Sequence, residues 1–431
     1  ALGFLLLRFS LPDFAYISSY ANAIRQPVDA GKLKSSWKSQ QQDPCLGRYI
    51  YMHDLPSRFN QDLVTKCQTL RKQFNLCPYV ENGGFGTQLK LNASSEDSES
   101  VMSGESCSSI KDAGALDFTN WLRGRPEWER MFGWDHFFVS GRVTWDFRRP
   151  TYIGPNWGSK LMNLPETKNM TMVSVEASPY ANNDFAVPYP TDFHPSNDSE
   201  VLQWQEKVRK TRRAHLFAFA GATRSYKGSI RGELIRQCKN APGNQCKLVS
   251  CVPKNKANCN NPANIIKAFL MSDFCLQPTG DSDTRRSTFD AILTGCIPVF
   301  FHPGSDYTQY FWHLPKNYTS YSVFIPMEGI QNGMVHVEEV LHQISQDVVT
   351  AMREKVIGLI PSIIYARYKL KIEDAFDITV KGVLKRIEDV RRQIHEGKDP
   401  RSRFPEELTW KHYLTGKLEN HEWDSFFRSK Q

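Results

Sequence analysis

Residues 280–301 read GDSDTRRSTFDAILTGCIPVFF. A glycine turn with two acids leads into two adjacent arginines, then an amphipathic run, then the apolar, strand-like CIPVFF. The run just before it, DFCLQP at 273–278, is also strand-like. Strand, turn, helix and strand in succession make a βαβ crossover, and such a unit places its two strands side by side and parallel.

The same alternation extends outward. EVLQWQEKVRKTRRA (200–214) has helical spacing and HLFAFAG (215–221) is a strand. SIRGELIRQC is a helix, CKLVSCV a strand and NPANIIKAFLMS a helix. Downstream, YSVFIP is a strand, and amphipathic helices fall near 335–360 and 373–397. The expected fold class is α/β with a doubly wound sheet. Upstream the pattern is sparser. GALDFTNWLRGRPEWERM has helical apolar spacing at Leu116, Trp121 and Leu122. RYIYM, WDHFFVSGRVTWDF and MTMVSVEAS read as strands. NASSEDSESVMSGESCSSI (92–110) is dominated by serine and acids, with too few apolar residues to bury. Four segments follow: an anchor remnant and stem at 1–44, a smaller α/β domain at 45–205 with 85–112 as loop or disordered, the regular α/β domain at 206–380, and a C-terminal helix and tail at 381–431.

Composition narrows the function. The chain has 431 residues, is 40% hydrophobic and 12% aromatic, and is therefore globular. A net charge of +8 spread along this length does not call for nucleic acid, and the basic cluster KVRKTRRAH reads as a solvated helix face. ALGFLLL at the start is too short to cross a bilayer, which takes about 20 apolar residues; it reads either as the tail of a membrane anchor or as an ordinary apolar start. Of ten cysteines, Cys238, Cys246, Cys251 and Cys259 crowd polar loops. They are expected as disulfides, paired 238–246 and 251–259, in an oxidising compartment. Cys275 and Cys296 sit in apolar runs and are expected as buried thiols. Asn92, Asn169, Asn197 and Asn317 open N-x-[ST] sequons, in keeping with secretion.

In a doubly wound sheet, ligands bind beyond the carboxyl ends of the strands. The quoted helix is expected to start near Thr284 with Asp283 as its N-cap. Its free N–H groups favour an anion. Arg285 and Arg286 oppose the helix dipole there, and a bound phosphate explains them. Asp290 lies one turn on. It is either an acceptor for ribose hydroxyls or an i,i+4 partner of Arg286. Asp281-Ser282-Asp283 spells D-x-D, which holds a divalent cation in some sugar transferases, but two arginines and a helix mouth neutralise a diphosphate without metal. A second strand–turn–helix junction, FAFAGATRSYKGSIRGELI, carries Arg224, Lys227 and Arg231. It matches neither the dinucleotide nor the P-loop glycine pattern. Together the two junctions fit one diphosphate-bearing ligand.

GRYIYMHDLPSRFN, WDHFFVSGRVTWDFRR, NDFAVPYPTDFHP, FCLQPTGDSDTRRSTFDAILTGCIPVFFHPG and YTQYFWHLPKNYTSYSVFIP resemble the plant exostosin-like glycosyltransferases of family 47, in the xyloglucan galactosyltransferase branch. The resemblance covers 45–84 and 112–395. It implies an inverting, metal-independent GT-B enzyme: two Rossmann-like domains facing a cleft, held in the Golgi membrane as a single-pass type II protein with its catalytic part in the lumen. It implies transfer of a sugar from a UDP-sugar to a polysaccharide side chain, with no cofactor beyond that co-substrate. It implies that Arg285, Arg286, Ser287 and Asp290 line the UDP pocket, with Gly280 and Gly295 permitting close approach. The general base is sought among Asp135, His136, Asp146 and Glu176, with Asp146, which follows GRVTW, preferred. Family members carry a longer segment, with an apolar strand of the type FVPFYAG, where this chain has only 85–112. The N-terminal domain is therefore expected to be shortened. Two other readings follow: a catalytically impaired UDP-sugar-binding partner in a Golgi synthase complex, and an enzyme using UDP-galacturonic acid or UDP-arabinofuranose.

Overall fold

Among the described residues the strands fall into two sheets. The computed structural model describes residues 112–149, 158–178, 181, 183–223, 229–251, 262–280, 282–368 and 370–400, with Pro56 and the backbone of Phe4–Leu5. The first sheet has the order β1 (Phe4–Leu5), β2 (Phe137–Val143), β3 (Thr171–Glu176), β4 (Asp184–Ala186). Only β1 runs antiparallel within it. The second contains β5 (His215–Gly221), β6 (Cys246–Ser250), β7 (Ser272–Gln277), β8 (Ile297–Phe300) and β9 (Val323–Phe324). Its spatial order is β6-β5-β7-β8-β9, all parallel. The RYIYM strand and the 92–110 stretch lie outside the described residues.

Helices α1 (Ala113–Arg123) and α2 (Pro126–Met131) precede β2, and α3 (Asp198–Lys210) leads into β5. Then α4 (Ile230–Asn240), α5 (Pro262–Leu270) and α6 (Arg286–Leu293) make the successive crossovers of the second sheet. After β9 come α7 (Met327–Gln331), α8 (Val337–His342), α9 (Gln346–Gly358), α10 (Ile360–Ile363) and α11 (Ala375–His395). Local chemistry sets these bounds. Asn197 caps α3 by accepting from the Glu200 N–H, and Glu200 reaches back to accept from the Ser196 N–H. This is a reciprocal cap that reaches one residue further back than a capping box, with Lys207, Arg209 and Lys210 in the last turn favouring the dipole.

Strand alternation sorts the core. In β5, Phe217 and Phe219 face a large cluster with α3, α4, α6 and α9, while Ala218 and Ala220 face a small-residue layer with Phe269, Cys275 and Cys296. The Ala face lets the opposite layer approach closely. The helix α11 returns to the first sheet. Its Val383 and Ile387 pack with Val173 and Val187, and buried Arg386 donates through Nε to Thr171 Oγ1 at 2.8 Å while lying over the Phe185 ring.

Two cysteine readings are settled differently. Cys238 and Cys246 are bonded to each other as expected; Cys251 is also in a disulfide, and Cys259 lies outside the described residues. Cys275 and Cys296 are not thiols: they form a disulfide with Cα atoms 5.8 Å apart. The α6 crossover returns the chain so that the residue before β8 meets β7 in the Ala-lined layer, within bridging reach. The closed ring, 21 residues in separation, contains every candidate from Gly280 to Gly295. Replacing both Cys275 and Cys296 by alanine should cost about 2–4 kcal/mol of stability. Alkylating the unreduced, unfolded protein and mapping peptides by mass spectrometry checks the bond, and labelled thiols at 275 and 296 would refute it.

Candidate functional site

The order of the second sheet fixes where a ligand can sit. From β5 the chain moves outward to β6, then crosses back to β7 on the other side, so the topological switch point lies between β5 and β7. Crossovers leave those two strand ends in opposite directions, and a crevice opens there. The helices that follow β5 and β7 are α4, carrying Arg231, and α6, carrying Arg286. Both expected basic junctions therefore meet at the switch point.

The arginines do different work. Arg285 is 6% exposed and donates to Ala220 O at 2.8 Å, to Pro278 O at 3.2 Å and to Ser287 Oγ at 3.1 Å. It pins the ends of β5 and β7 across the crevice. Ser287 is part of the same lock, donating to Gln277 Oε1 at 2.6 Å while its carbonyl accepts from Gln277 Nε2. Arg286 is the first residue of α6. It donates to Asp192 Oδ2 at 2.9 Å and lies 3.9 Å from Asp290 Oδ2. The i,i+4 pair between Arg286 and Asp290 is thus present, with Asp290 3% exposed. Arg231 is buried and donates to Thr279 O at 3.0 Å. A Cβ on Gly280 would fall 2.4 Å from Arg231 Nη2, so glycine is what lets this guanidinium reach the turn. Arg224 and Lys227 lie outside the described residues.

Two expectations are corrected. The α6 N-cap is Arg285, extended and without a side-chain cap, so the helix starts two residues later than Thr284 and Asp283 is not its cap. The Thr284 N–H instead donates to Glu176 Oε2, from the end of β3, at 2.8 Å. Gly295 is at the other end of α6, where the chain turns into β8. Its φ of +63° requires glycine, and an added Cβ would strike Val208 and Ile357. Its close approach is to α3 and α9, not to the crevice. There Arg213, read as part of a solvated face, turns inward and donates to the carbonyls of Phe269, Ser272 and Thr294.

The four candidate bases separate by sheet edge. Asp135 and His136 precede β2 and bond to each other at 2.9 Å, at the amino edge. Asp146 lies just past the carboxyl end of β2 in a single turn, half-buried, with its carboxylate accepting from Arg142 Nε. Glu176 ends β3 and is 3% exposed. Burial pushes its carboxyl up to about 7, with the Asp283 charge adding to the rise and the Thr284 hydroxyl opposing it.

Sequence reasoning missed how the halves are joined. Thr284 Oγ1 also donates to Glu176 Oε2, at 2.6 Å, so Tyr189 OH donates to that hydroxyl oxygen at 3.1 Å. Ala177 N–H donates to Gln309 Oε1 at 2.8 Å, and Ala177 O accepts from Gln309 Nε2. Tyr310 OH donates to Val175 O at 3.1 Å. Three consecutive residues at the end of β3 are thus gripped by the second sheet's loops. Pairs so far apart along the chain leave no local signal.

Two α/β sheets joined at their carboxyl edges, with arginines at a switch-point helix mouth, make this a GT-B type of architecture. The chain belongs to the exostosin GT47 family, whose domain matches residues 44–341. It is 44% identical to the Arabidopsis thaliana xyloglucan galactosyltransferase MUR3, over 89% of this chain and 70% of that one. It is 41% identical to the probable xyloglucan galactosyltransferase GT12 of the same plant, over 85% and 82%. The plant's xyloglucan-specific galacturonosyltransferase 1 is 35% identical over 80% of this chain and 58% of that one. The MUR3 alignment runs over 443 positions yet takes in only 89% of these 431 residues, so roughly sixty positions of the relative have no counterpart here.

Proposed function

We propose that this chain transfers galactose from UDP-galactose to xylosyl side chains of xyloglucan, with inversion at the sugar C1. The observation that carries the reading is the switch-point crevice, where Arg286 opens α6 and Arg231 holds the Thr279–Gly280 turn that precedes it. An acceptor hydroxyl attacks C1, the bond from C1 to the diphosphate oxygen breaks, and UDP leaves with the electron pair. Arg286 and the helix mouth stabilise the charge that develops on the diphosphate. Those cations serve where a metal would otherwise be needed, so the reaction proceeds without one. Asp146, held by Arg142 beyond β2, takes the acceptor proton. The disulfides fit an oxidising lumen, and we place the protein in the Golgi, membrane-anchored. Among the described residues no helix is long and apolar enough to cross a membrane.

One observation favours a second reading. Roughly sixty positions of MUR3 have no counterpart in this chain; an acceptor half that lacks a strand-bearing segment among them would bind UDP but turn over poorly, as an impaired partner in a synthase complex. Calorimetry with UDP, with and without EDTA, together with incubation of UDP-galactose and galactose-depleted xyloglucan followed by product masses, tests both. UDP binding unaffected by EDTA plus a galactosyl product is the expected result. Binding without product favours the impaired partner, and no UDP binding overturns both.

A further inference from the structure

The donor-side loop that presents Arg285 and Arg286 is not held by a cap of its own, because Arg285 occupies the N-cap position without a side-chain cap bond. What holds it comes from the other sheet. Glu176 Oε2 accepts both the N–H of Thr284 at 2.8 Å and its hydroxyl at 2.6 Å. The two bonds fix the backbone and the side chain of the residue directly before the arginines. Glu176 is itself immobilised, since Val175 O accepts from Tyr310 and Ala177 is bonded at both its backbone groups to Gln309. Tyr189, also of the first half, donates to the same Thr284 hydroxyl. A second strut joins Arg286 itself to Asp192.

We propose that Glu176 is a positioning residue for the donor: from the acceptor half, and through Thr284, it sets the direction in which Arg285 and Arg286 enter α6. This rests on the donor reading above and adds the element that orients its binding group. Burying a carboxylate in this seam is costly, and burial indeed raises its affinity for a proton. A residue needed only to fill space there would be apolar. A carboxylate gives two charge-assisted bonds to one neighbouring residue, and these fix geometry as well as contact. It also follows that acceptor-half geometry and donor affinity are coupled, because the link runs from the end of β3 to the mouth of α6.

The test measures UDP affinity by calorimetry, so it does not depend on acceptor chemistry. Glu176→Gln keeps the size and loses the charge; Thr284→Val loses the hydroxyl and keeps the N–H. Each is expected to weaken UDP binding about tenfold, or about 1.4 kcal/mol. The double variant should lose little more than either alone, since both cut one link. Thr284→Ser, which restores the hydroxyl, should return affinity to within about twofold of the parent. A role in folding alone would lower the melting temperature and leave UDP affinity unchanged in all of them. Unchanged affinity in Thr284→Val, or full additivity in the double variant, overturns the proposal. If Glu176→Gln does not accumulate as folded protein, the comparison of Thr284→Val with Thr284→Ser decides alone. A parent protein that binds no UDP refutes the donor reading itself, which is a different result from variants that bind as tightly as the parent.

Discussion

Arg286→Ala is expected to weaken UDP binding by one to two orders of magnitude, whereas Arg285→Ala is expected chiefly to destabilise the fold. The neighbours differ in what they hold. Arg285 donates to Ala220 O and Pro278 O, both in the crevice wall. Removing it strands two buried carbonyls, each costing about 1–3 kcal/mol, and frees the Ser287–Gln277 lock. Stability should fall by roughly 3 kcal/mol or more on that count. Arg286 pairs with Asp192, which is 41% exposed and readily resolvated, and with Asp290 only at 3.9 Å. Its guanidinium stands at the first turn of α6, where a diphosphate would sit. A hydrogen bond to a charged group is worth about 1.5–3 kcal/mol, which sets the expected loss of affinity. Calorimetry with UDP and thermal unfolding of both variants separate the two effects. An Arg285→Ala protein as stable as the parent, or an Arg286→Ala protein with unchanged affinity, would show that the roles are misassigned.

Much of this was legible in the sequence, for identifiable reasons. The second sheet announces itself because each βαβ unit is local: Phe and Ala alternate in β5, α6 has helically spaced apolar residues at Phe289, Ile292 and Leu293, and turns carry Gly280 and Gly295. What the sequence could not show is what depends on distant partners. The start of α6 is displaced because Thr284, two residues before it, is held by Glu176, at a separation of 108 residues. Gly295 looks like Gly280 in sequence, yet one ends a helix against α3 and α9 while the other makes room for Arg231. Cys275 and Cys296 look like apolar filling until strand register brings them together. The strand β4 is three residues long, too short for its alternation to be read.

The folded protein is expected to lose stability as pH rises from about 5 to 8, the reverse of acid denaturation. Burial raises the Glu176 carboxyl to about 7 from an ordinary value of 4.5, and the Asp306 carboxyl to about 7 from 3.8. In this window the native state therefore holds protons that the unfolded chain has released. Stability is then fully present below the unfolded values and is lost as pH rises through about 7. Burial also raises Asp273 and Asp374, in the same direction. His313 opposes them. Burial lowers it to about 4, so its contribution is lost as pH falls below the ordinary value of 6.5. Two strongly raised carboxyls outweigh one lowered imidazole. Each tenfold change in proton affinity is worth about 1.4 kcal/mol, so the net change across the window is on the order of 3 kcal/mol. That is a large share of a domain's roughly 5–15 kcal/mol. Urea unfolding at pH 5.5 and 7.5 measures it, with the higher midpoint expected at pH 5.5. Glu176→Gln and Asp306→Asn should each flatten the dependence, because an amide has no proton to release. In Asp306→Asn the Tyr321 hydroxyl keeps an acceptor, so the loss of slope there reports the charge and not the hydrogen bond. A midpoint that climbs from pH 5.5 to 7.5 would mean that His313 and the surface carboxylates govern instead, and that the buried acids are solvated in ways their surroundings do not permit.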